Sequence, residues 1–143
     1  MKRKIVLVLG GSSDIGVELV KKYLVKNWYV FCHYNQNNKL LNQLQKKYPY
    51  QLKTLKADFS NNSSVNKFLI KIKKLNIHSM VNLAGFVDNV SFKNTSLKTL
   101  LKSLQINSVV PILVQKEIIK RMIKNNFGRI LHASSIGVKY GGG

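Results

Sequence analysis

The chain has 143 residues, which suits one domain, and its one cysteine, Cys32, excludes a disulfide framework and favours a reducing, cytoplasmic location. The apolar run after the N-terminal basic residues, Ile5–Leu9, is too short for a signal peptide, and no run approaches the roughly 18 apolar residues of a membrane span. The net charge of +19 is carried almost entirely by lysines spread along the chain, so the composition does not favour a nucleic-acid reader, which would cluster arginines and stacking aromatic residues.

The first third of the chain predicts two strands, each followed by a helix. Lys4–Leu9 is a continuous apolar run, as in a strand buried on both faces. A turn over 10–16 leads into an amphipathic helix from Ile15 to Lys26, and the aromatic and β-branched segment Trp28–Tyr34 favours a second strand. The leucines within Asn37–Lys47 indicate the next helix.

The same alternation continues to the fifth strand. The remaining predicted elements are a strand over Gln51–Ala57, a helix over Asn61–Lys74, a strand over Ser79–Ala84, a long helix over Ser96–Asn125 and a strand over Arg129–Ser134. The long helix is expected in two pieces, with a break near Asn107 to Pro111. Alternating strands and helices predict the α/β class: a Rossmann-like, doubly wound parallel sheet in a single domain over residues 1–143.

The segment Gly10–Gly16, with the sequence GGSSDIG, follows a buried strand and opens an amphipathic helix. This is the context that a phosphate-binding turn requires. Glycine lets the backbone approach a pyrophosphate, and the free N–H groups of the helix N-terminus face the anion. Ser12 and Ser13 can donate further hydrogen bonds, and Asp14 is expected to cap the helix. A tight glycine turn without a ligand is the alternative.

The end of the second predicted strand carries no acidic residue; it reads His33, Tyr34, Asn35, Gln36. NAD-binding folds place an acid there to hold the ribose 2′-hydroxyl. A carboxylate would repel a 2′-phosphate, so its absence favours NADP (NADPH) over NAD, with Tyr34 and Asn35 beside the cofactor. Lys39 is either a further positive charge for that phosphate or a solvated helix residue.

Four pieces of the sequence carry a resemblance to a known family: Gly10–Gly16, Ala57-Asp58-Phe59-Ser60, Asn82-Leu83-Ala84-Gly85, and Gly128-Arg129-Ile130 leading to Ser134-Ser135. In this order and spacing they resemble the short-chain dehydrogenase/reductase family, short type, similar to 3-oxoacyl-carrier-protein reductases. The sequence departs from the family pattern at two places. Asp14 stands where the family turn has its middle glycine, and Leu83 replaces the second asparagine of the family's NNAG.

The resemblance implies a role for each matching residue. It implies pyrophosphate contacts at Gly10, Ser12, Ile15 and Gly16, adenine contacts at Asp58 and Phe59, and ribose contacts at Asn82, Ala84 and Gly85. For catalysis it implies that Asn107 holds a proton-relay water and that Ser135 hydrogen-bonds the substrate carbonyl. The alternatives are a turn residue at Asp58, a helix cap at Asn107 and a loop position for Ser135. The three histidines lack metal-ligand spacing, so no metal site is expected.

The family's mechanism also needs a tyrosine followed four residues later by a lysine, about a dozen residues after the serine. Gly143 comes first, and Tyr140 lies too near Ser135 to substitute. We therefore expect the N-terminal portion of an NAD(P)-dependent oxidoreductase of small carbonyl substrates, dimeric or tetrameric when complete, with its last strands missing and no activity alone. A non-catalytic nucleotide-binding module or the remnant of a degraded gene is the alternative, and a basic nucleic-acid-binding protein is less favoured.

Overall fold

The computed structural model describes residues 3–135 and residue 139. Within them, five strands alternate with five α-helices. The strands are β1 Ile5–Leu9, β2 Tyr29–Tyr34, β3 Leu52–Lys56, β4 Ser79–Asn82 and β5 Arg129–His132; the helices are α1 Asp14–Val25, α2 Lys39–Lys47, α3 Asn62–Lys73, α4 Leu97–Leu104 and α5 Val110–Lys124. Tyr140, which is too near Ser135 to be the family's tyrosine, lies outside the described residues.

All five strands are parallel, in the spatial order β3-β2-β1-β4-β5. The chain winds outward from β1 to β3 and then crosses to the other side of β1, where β4 and β5 are added. This confirms the predicted α/β class and the Rossmann-like, doubly wound sheet. Where the winding reverses, between β1 and β4, the loops at the carboxyl ends of the strands diverge and leave a crevice.

The sheet is covered on both faces, which explains the continuous apolar run in β1. Val6 and Val8 pack into the core layer beneath α1 and α2, whereas Leu7 and Leu9 pack into the layer beneath α3 and α5. All four side chains are fully buried. Each such valine or leucine contributes roughly 1.5–3 kcal/mol when removed from water. Two hydrophobic layers therefore fix β1 at the centre of the sheet.

Cys32 lies in the core layer beneath α1 and α2, with none of its surface exposed. Burial raises the pKa of its thiol to about 12. A thiol that stays protonated at neutral pH is a poor nucleophile. Cys32 is therefore a small buried hydrophobic residue of β2.

The predicted division of the long helix into two α-helical pieces is confirmed, but a π-helical turn joins the pieces in place of a break. The helix runs without interruption from α4 into α5 through a π-helical turn, Gln105–Val109. The N–H of Val110 donates to the carbonyl of Gln105, five residues back. Pro111 has no N–H to donate, and the wider turn accommodates it without ending the helix.

The continuous helix Leu97–Lys124 spans 28 residues and is, by length and composition, apolar enough to cross a membrane. The sequence predicted no membrane span, because polar residues interrupt every apolar run of this helix. One such helix is a weak indication, because core helices of soluble proteins pass the same test. Its second half, α5, packs into the domain core through the side chains of Val110, Val114, Ile118 and Met122.

Candidate cofactor-binding site

A cleft of about 400 Å³ lies over the carboxyl ends of the first four strands. The cleft is lined by eight residues that the sequence predicted to bind a cofactor: Gly10, Ser12, Ser13, Asn35, Asp58, Phe59, Ala84 and Gly85. The cleft is also lined by seven residues that were not predicted to bind a ligand: His33, Gln36, Ser60, Leu83, Phe86, Lys102 and Ile106. Because the strands are parallel, their carboxyl ends meet at one edge of the sheet, and this brings the segments together.

Four of the predicted cofactor residues do not line this cleft. The side chain of Ile15 is 74% exposed and lies on the outer surface of α1. Gly16 is buried against the backbone of the glycine turn, and Tyr34 packs against the core layer beneath α1 and α2. Asn82 is buried at the end of β4, where its Oδ1 accepts from the Ala84 N–H at 3.2 Å.

The glycine turn is packed closely against the segment that follows β4. Gly10 has φ +70°, and a Cβ at this position would lie 2.6 Å from the Ala84 nitrogen. A Cβ at Gly16 would lie 2.6 Å from the Cα of Gly11. Both positions therefore require glycine, one for conformation and space and the other for space alone. The close packing holds the turn at the floor of the cleft.

Ser13, not Asp14, caps α1, so this prediction is wrong. Ser13 has the extended backbone that a cap needs, and its Oγ accepts from the Gly16 N–H at 3.1 Å. The same hydroxyl donates to the Gly10 carbonyl at 3.0 Å. Among the described residues, the N–H groups of Ser12, Asp14 and Ile15 have no acceptor. They leave the positive end of the α1 dipole available to an anion.

Asp58 presents one free carboxylate oxygen at the other end of the cleft. Its Oδ1 accepts from the Ser60 N–H at 2.8 Å and from the Ser60 hydroxyl at 2.7 Å. These hydrogen bonds, with a smaller effect of Lys102, hold the pKa of the Asp58 carboxyl below its ordinary value. Its Oδ2 has no partner in the described part of the chain. Asp58 is thus a turn residue that still offers an acceptor to a ligand.

The ring of Phe59 belongs to the core. Phe59 is 3% exposed, and its ring stacks in parallel on the ring of His33 with 3.9 Å between centroids. The edge of the Phe68 ring contacts both. Contact between Phe59 and an adenine therefore has to involve its backbone rather than the face of its ring. The Phe59 carbonyl itself accepts from Gln105 Nε2 at 2.9 Å.

His33 is buried at the end of β2 and hydrogen-bonded through both ring nitrogens. Its Nδ1 accepts from the Gly10 N–H at 3.1 Å, and its Nε2 lies 3.0 Å from the Ala57 carbonyl. A carbonyl can only accept, so Nε2 carries the proton and the ring is neutral. Burial lowers the pKa of His33 to about 4, against the opposing effect of the Ala57 hydrogen bond. A polar residue inside an apolar strand was the signal for it in the sequence.

Asn107 does not cap a helix; its side chain holds the segment after β4. Its Oδ1 accepts from the Phe86 N–H at 2.7 Å, and its Nδ2 donates to the Phe86 carbonyl at 2.8 Å. Lys102 lies one turn earlier, with its Nζ 4.1 Å from the centroid of the Phe86 ring. Nothing in the sequence separated Lys102 from the many other helical lysines.

Ser135 follows β5, which ends at His132, two residues before the predicted Ser134. Ser135 is exposed and lies at the same edge of the sheet as the cleft, because β5 is parallel to β4. It does not line the cleft itself. The structure thus groups most of the predicted cofactor residues and leaves Ser135 beside them.

The residues around the cleft fit an anionic dinucleotide. Free N–H groups and the Ser12 hydroxyl stand at one end, and the free oxygen of Asp58 stands at the other. A Cβ added at Gly85 would meet only the Asn107 Oδ1, at 3.8 Å, so the backbone there is open to a ligand. In the described residues, no group of three or more His, Cys, Asp or Glu could hold a metal ion.

The sequence matches the model of the family described as short chain dehydrogenase over residues 4–143. It is 25% identical over 142 residues to the uncharacterized oxidoreductase YvrD of Bacillus subtilis, covering 97% of this chain and 54% of that protein. It is 27% identical over 139 residues to the 3-amino-tetrahydro-pyrrolizinone reductase of Xenorhabdus hominickii, covering 94% of this chain and 46% of that protein. The chain spans about half the length of these curated relatives.

Solved structures share the fold. The bulky-bulky ketone specific alcohol dehydrogenase from Comamonas testosteroni superposes with a TM-score of 0.86 at 15% identity, covering 95% of this chain and 56% of that one. A short-chain dehydrogenase from Sphingobium yanoikuyae, solved in complex with NADPH, superposes with a TM-score of 0.84 at 17% identity. The superposition covers 93% of this chain and 54% of that one. At these identities the likeness concerns the fold alone.

Proposed function

Because the chain belongs to the short-chain dehydrogenase family, we propose that the protein is an NAD(P)-dependent oxidoreductase that transfers hydride between NADPH and a carbonyl or alcohol substrate. One observation supports this most directly: a helix N-terminus with free N–H groups and a carboxylate with a free oxygen face one cleft at the switch point of the sheet. The nicotinamide supplies the hydride chemistry when bound, and the protein supplies binding, orientation and electrostatics.

The chain's own residues divide the binding of the dinucleotide between them. The N–H groups around Ser12 and the positive end of α1 would bind the pyrophosphate. Asp58 Oδ2 would accept from the adenine amino group, since Oδ1 is already bound to Ser60. Ala84 and Gly85 would lie along the ribose, where the bare Cα of Gly85 leaves room.

We propose NADPH as the preferred cofactor. Asn35 and Gln36 line the cleft at the end of β2, where NAD-binding proteins use an acid for the ribose 2′-hydroxyl. Neither residue is charged, so neither repels a 2′-phosphate. The acidic residue that lines the cleft, Asp58, follows β3 and accepts a hydrogen bond from Ser60. The high positive charge of the whole chain also favours the more anionic cofactor.

In this proposal, Ser135 hydrogen-bonds the substrate carbonyl oxygen and polarises it. Asn107 holds a relay water, in a turn next to Pro111, which has no N–H to donate within the helix. The tyrosine and lysine of the family have no counterpart among these 143 residues. We therefore assign cofactor binding and carbonyl polarisation to this chain, and expect no turnover from the 143 residues by themselves.

We further propose that the protein works in the cytoplasm as a homodimer or homotetramer. The helix running from α4 to α5 leaves several large apolar side chains exposed, namely Leu97, Leu100, Leu101, Leu104, Ile112 and Ile123. A surface of this kind suits a subunit interface. Sedimentation of the complete protein tests this, and a monomer at micromolar concentration would contradict it.

The test of the proposed function is a titration of the purified protein with NADPH and with NADH by calorimetry. We expect saturable binding of both, tighter for NADPH. Absence of binding to either would refute the dinucleotide site, and salt-dependent retention on DNA without dinucleotide binding would favour a nucleic-acid-binding protein. Carbonyl reduction by the complete protein, with Tyr-x-x-x-Lys in its coding sequence, would favour the enzyme over a non-catalytic nucleotide-binding module.

A further inference from the structure

His33 is the buried polar side chain that joins the two ends of the cleft. It is 3% exposed and sits in β2, between β1 on one side and β3 on the other. The glycine turn follows β1, and the segment carrying Asp58 follows β3. The two segments that would bind the pyrophosphate and the adenine are thus separated by the strand that carries this ring.

The side chain and backbone of His33 both hold the glycine turn. Its Nδ1 accepts from the Gly10 N–H at 3.1 Å, and its backbone carbonyl accepts from the Gly11 N–H at 2.9 Å. Gly10 is also the residue that packs against the Ala84 backbone. A shift of Gly10 would therefore displace the turn relative to the β4 segment as well.

The other side of the ring holds the Asp58 segment. Nε2 donates to the Ala57 carbonyl at 3.0 Å, directly before Asp58. The ring face stacks on Phe59, directly after Asp58, at 3.9 Å and an interplanar angle of 2°. One imidazole thus fixes the backbone on both sides of the carboxylate that faces the cleft.

We propose that His33, as a neutral ring protonated on Nε2, is a positioning residue of the cofactor site that sets the glycine turn and Asp58 at the spacing a dinucleotide requires. This rests on the proposed function. His33 does not touch the reacting atoms; it acts through Gly10 and Asp58. A ring with a proton on Nδ1 would face the Gly10 N–H with a second donor, and the turn would lose its acceptor.

Two substitutions test the hydrogen bonds of His33 with Gly10 and with Ala57 one at a time. The oxygen of an asparagine amide stands about where Nδ1 stands, so His33→Asn keeps an acceptor for Gly10. The nitrogen of a glutamine amide stands about where Nε2 stands, so His33→Gln keeps a donor for Ala57 and leaves the Gly10 N–H without its acceptor. Because Gly10 belongs to the anion-binding turn, we expect His33→Gln to weaken NADPH binding about tenfold, the effect of one lost hydrogen bond. His33→Asn keeps that bond but loses the Ala57 hydrogen bond and the stacking on Phe59, so we expect a smaller loss of NADPH affinity, about threefold.

The chain offers a matched control in His78. Its Nδ1 accepts from the Ile5 N–H at 3.1 Å, the same kind of bond to the same strand at the opposite end. His78→Gln should lower the stability of the fold and leave the NADPH dissociation constant within about twofold of wild type. A purely structural role for His33 would make the two glutamine variants behave alike.

The decisive experiment compares NADPH dissociation constants of wild type, His33→Gln, His33→Asn and His78→Gln, with thermal unfolding of each. The proposal is overturned if folded His33→Gln binds NADPH as tightly as wild type does. It is also overturned if His33→Gln loses no more NADPH affinity than His78→Gln. Wild type that binds neither NADPH nor NADH refutes the proposed function instead, and this proposal with it. If His33→Gln does not fold, ring nitrogen NMR of wild type with NADPH decides: protonation of Nε2 alone supports the proposal, and a protonated Nδ1 overturns it.

Discussion

Asn107 and Phe86 are joined by two hydrogen bonds, one from the Phe86 N–H to Asn107 Oδ1 at 2.7 Å and one from Asn107 Nδ2 to the Phe86 carbonyl at 2.8 Å. Both groups of the Asn107 side-chain amide thus pair with the backbone N–H and carbonyl of one residue, on the segment that follows β4 and lines the cleft. The π-helical turn that carries Asn107 therefore fixes one wall of the candidate cofactor site.

Asn107→Asp tests this link. The aspartate keeps an oxygen for the Phe86 N–H but places its second oxygen against the Phe86 carbonyl, so we expect NADPH binding to weaken about tenfold. Ser103→Ala is the control, because the Ser103 hydroxyl only accepts a third bond from Asn107 Nδ2 at 3.2 Å. Calorimetric titration measures both variants. Equal affinities for wild type and Asn107→Asp would show that this wall is not part of the site.

Gly85 allows the cleft to be filled without disturbing the fold. A Cβ there has no neighbour within 4 Å except Asn107 Oδ1 at 3.8 Å. We expect Gly85→Ala to bind NADPH nearly as well as wild type, and Gly85→Leu to lose about 100-fold in affinity, or about 3 kcal/mol. Thermal unfolding of both should match wild type closely. A leucine variant that still binds NADPH tightly would place the cofactor elsewhere.

Asn35 tests the preference for NADPH. Asn35→Asp introduces a carboxylate at the end of β2. Its repulsion of a 2′-phosphate about 4 Å away costs about 1 kcal/mol in water and about 4 kcal/mol near a protein surface. We expect NADPH affinity to fall at least several-fold while NADH affinity is retained. Asn37→Asp adds the same charge two residues later, outside the cleft lining, and should change neither. A parallel loss of NADH affinity in Asn35→Asp would contradict the proposed position of the phosphate.

The lowered pKa of His33 makes the stability of the fold sensitive to acid. Its pKa is about 4 in the folded protein against an ordinary 6.5, so between these values the unfolded chain binds a proton that the folded chain does not. The full contribution to stability is present above pH 6.5 and is lost as the pH falls towards 4, at most roughly 3 kcal/mol. The carboxyl of Asp58, with its lowered pKa, loses its contribution only below this window.

Urea unfolding at pH 7.5 and pH 4.5 checks this prediction. Wild type should lose more stability between the two values than His33→Asn, which has no proton to bind at position 33. The same loss in both proteins would mean that other groups, or the net positive charge, cause the acid sensitivity.

Gly11 and Cys32 should be energetically coupled. A Cβ at Gly11 would overlap the Sγ of Cys32, so Gly11→Ala should destabilise the fold by about 1–3 kcal/mol through overpacking. Cys32→Ala removes the sulfur, and the double variant should recover part of that loss. Urea unfolding of the four proteins gives the coupling energy. Strict additivity would show that the two positions do not compete for the same space.

The sequence by itself determined the elements and much of the site. The apolar run of β1, the alternation of strands and helices, the glycine turn and the position of Asp58 after β3 all depend on local patterns of a few residues. Such patterns reflect propensity and burial, which each segment carries wherever it is placed. The family resemblance added Asn107 and Ser135, which no local pattern would have selected.

Only the tertiary structure decided which of these residues meet. His33 bonds to Gly10 and Ala57, 23 and 24 positions away, and Asn107 bonds to Phe86, 21 positions away. The order and register of the parallel strands set these contacts, and no periodicity within a segment encodes them. The packing of α1 against the sheet leaves the Ile15 side chain exposed, and the pairing of β2 with β3 brings the ring of Phe59 onto His33. A site at the edge of a parallel sheet is assembled by strand order, and strand order is a property of the whole core.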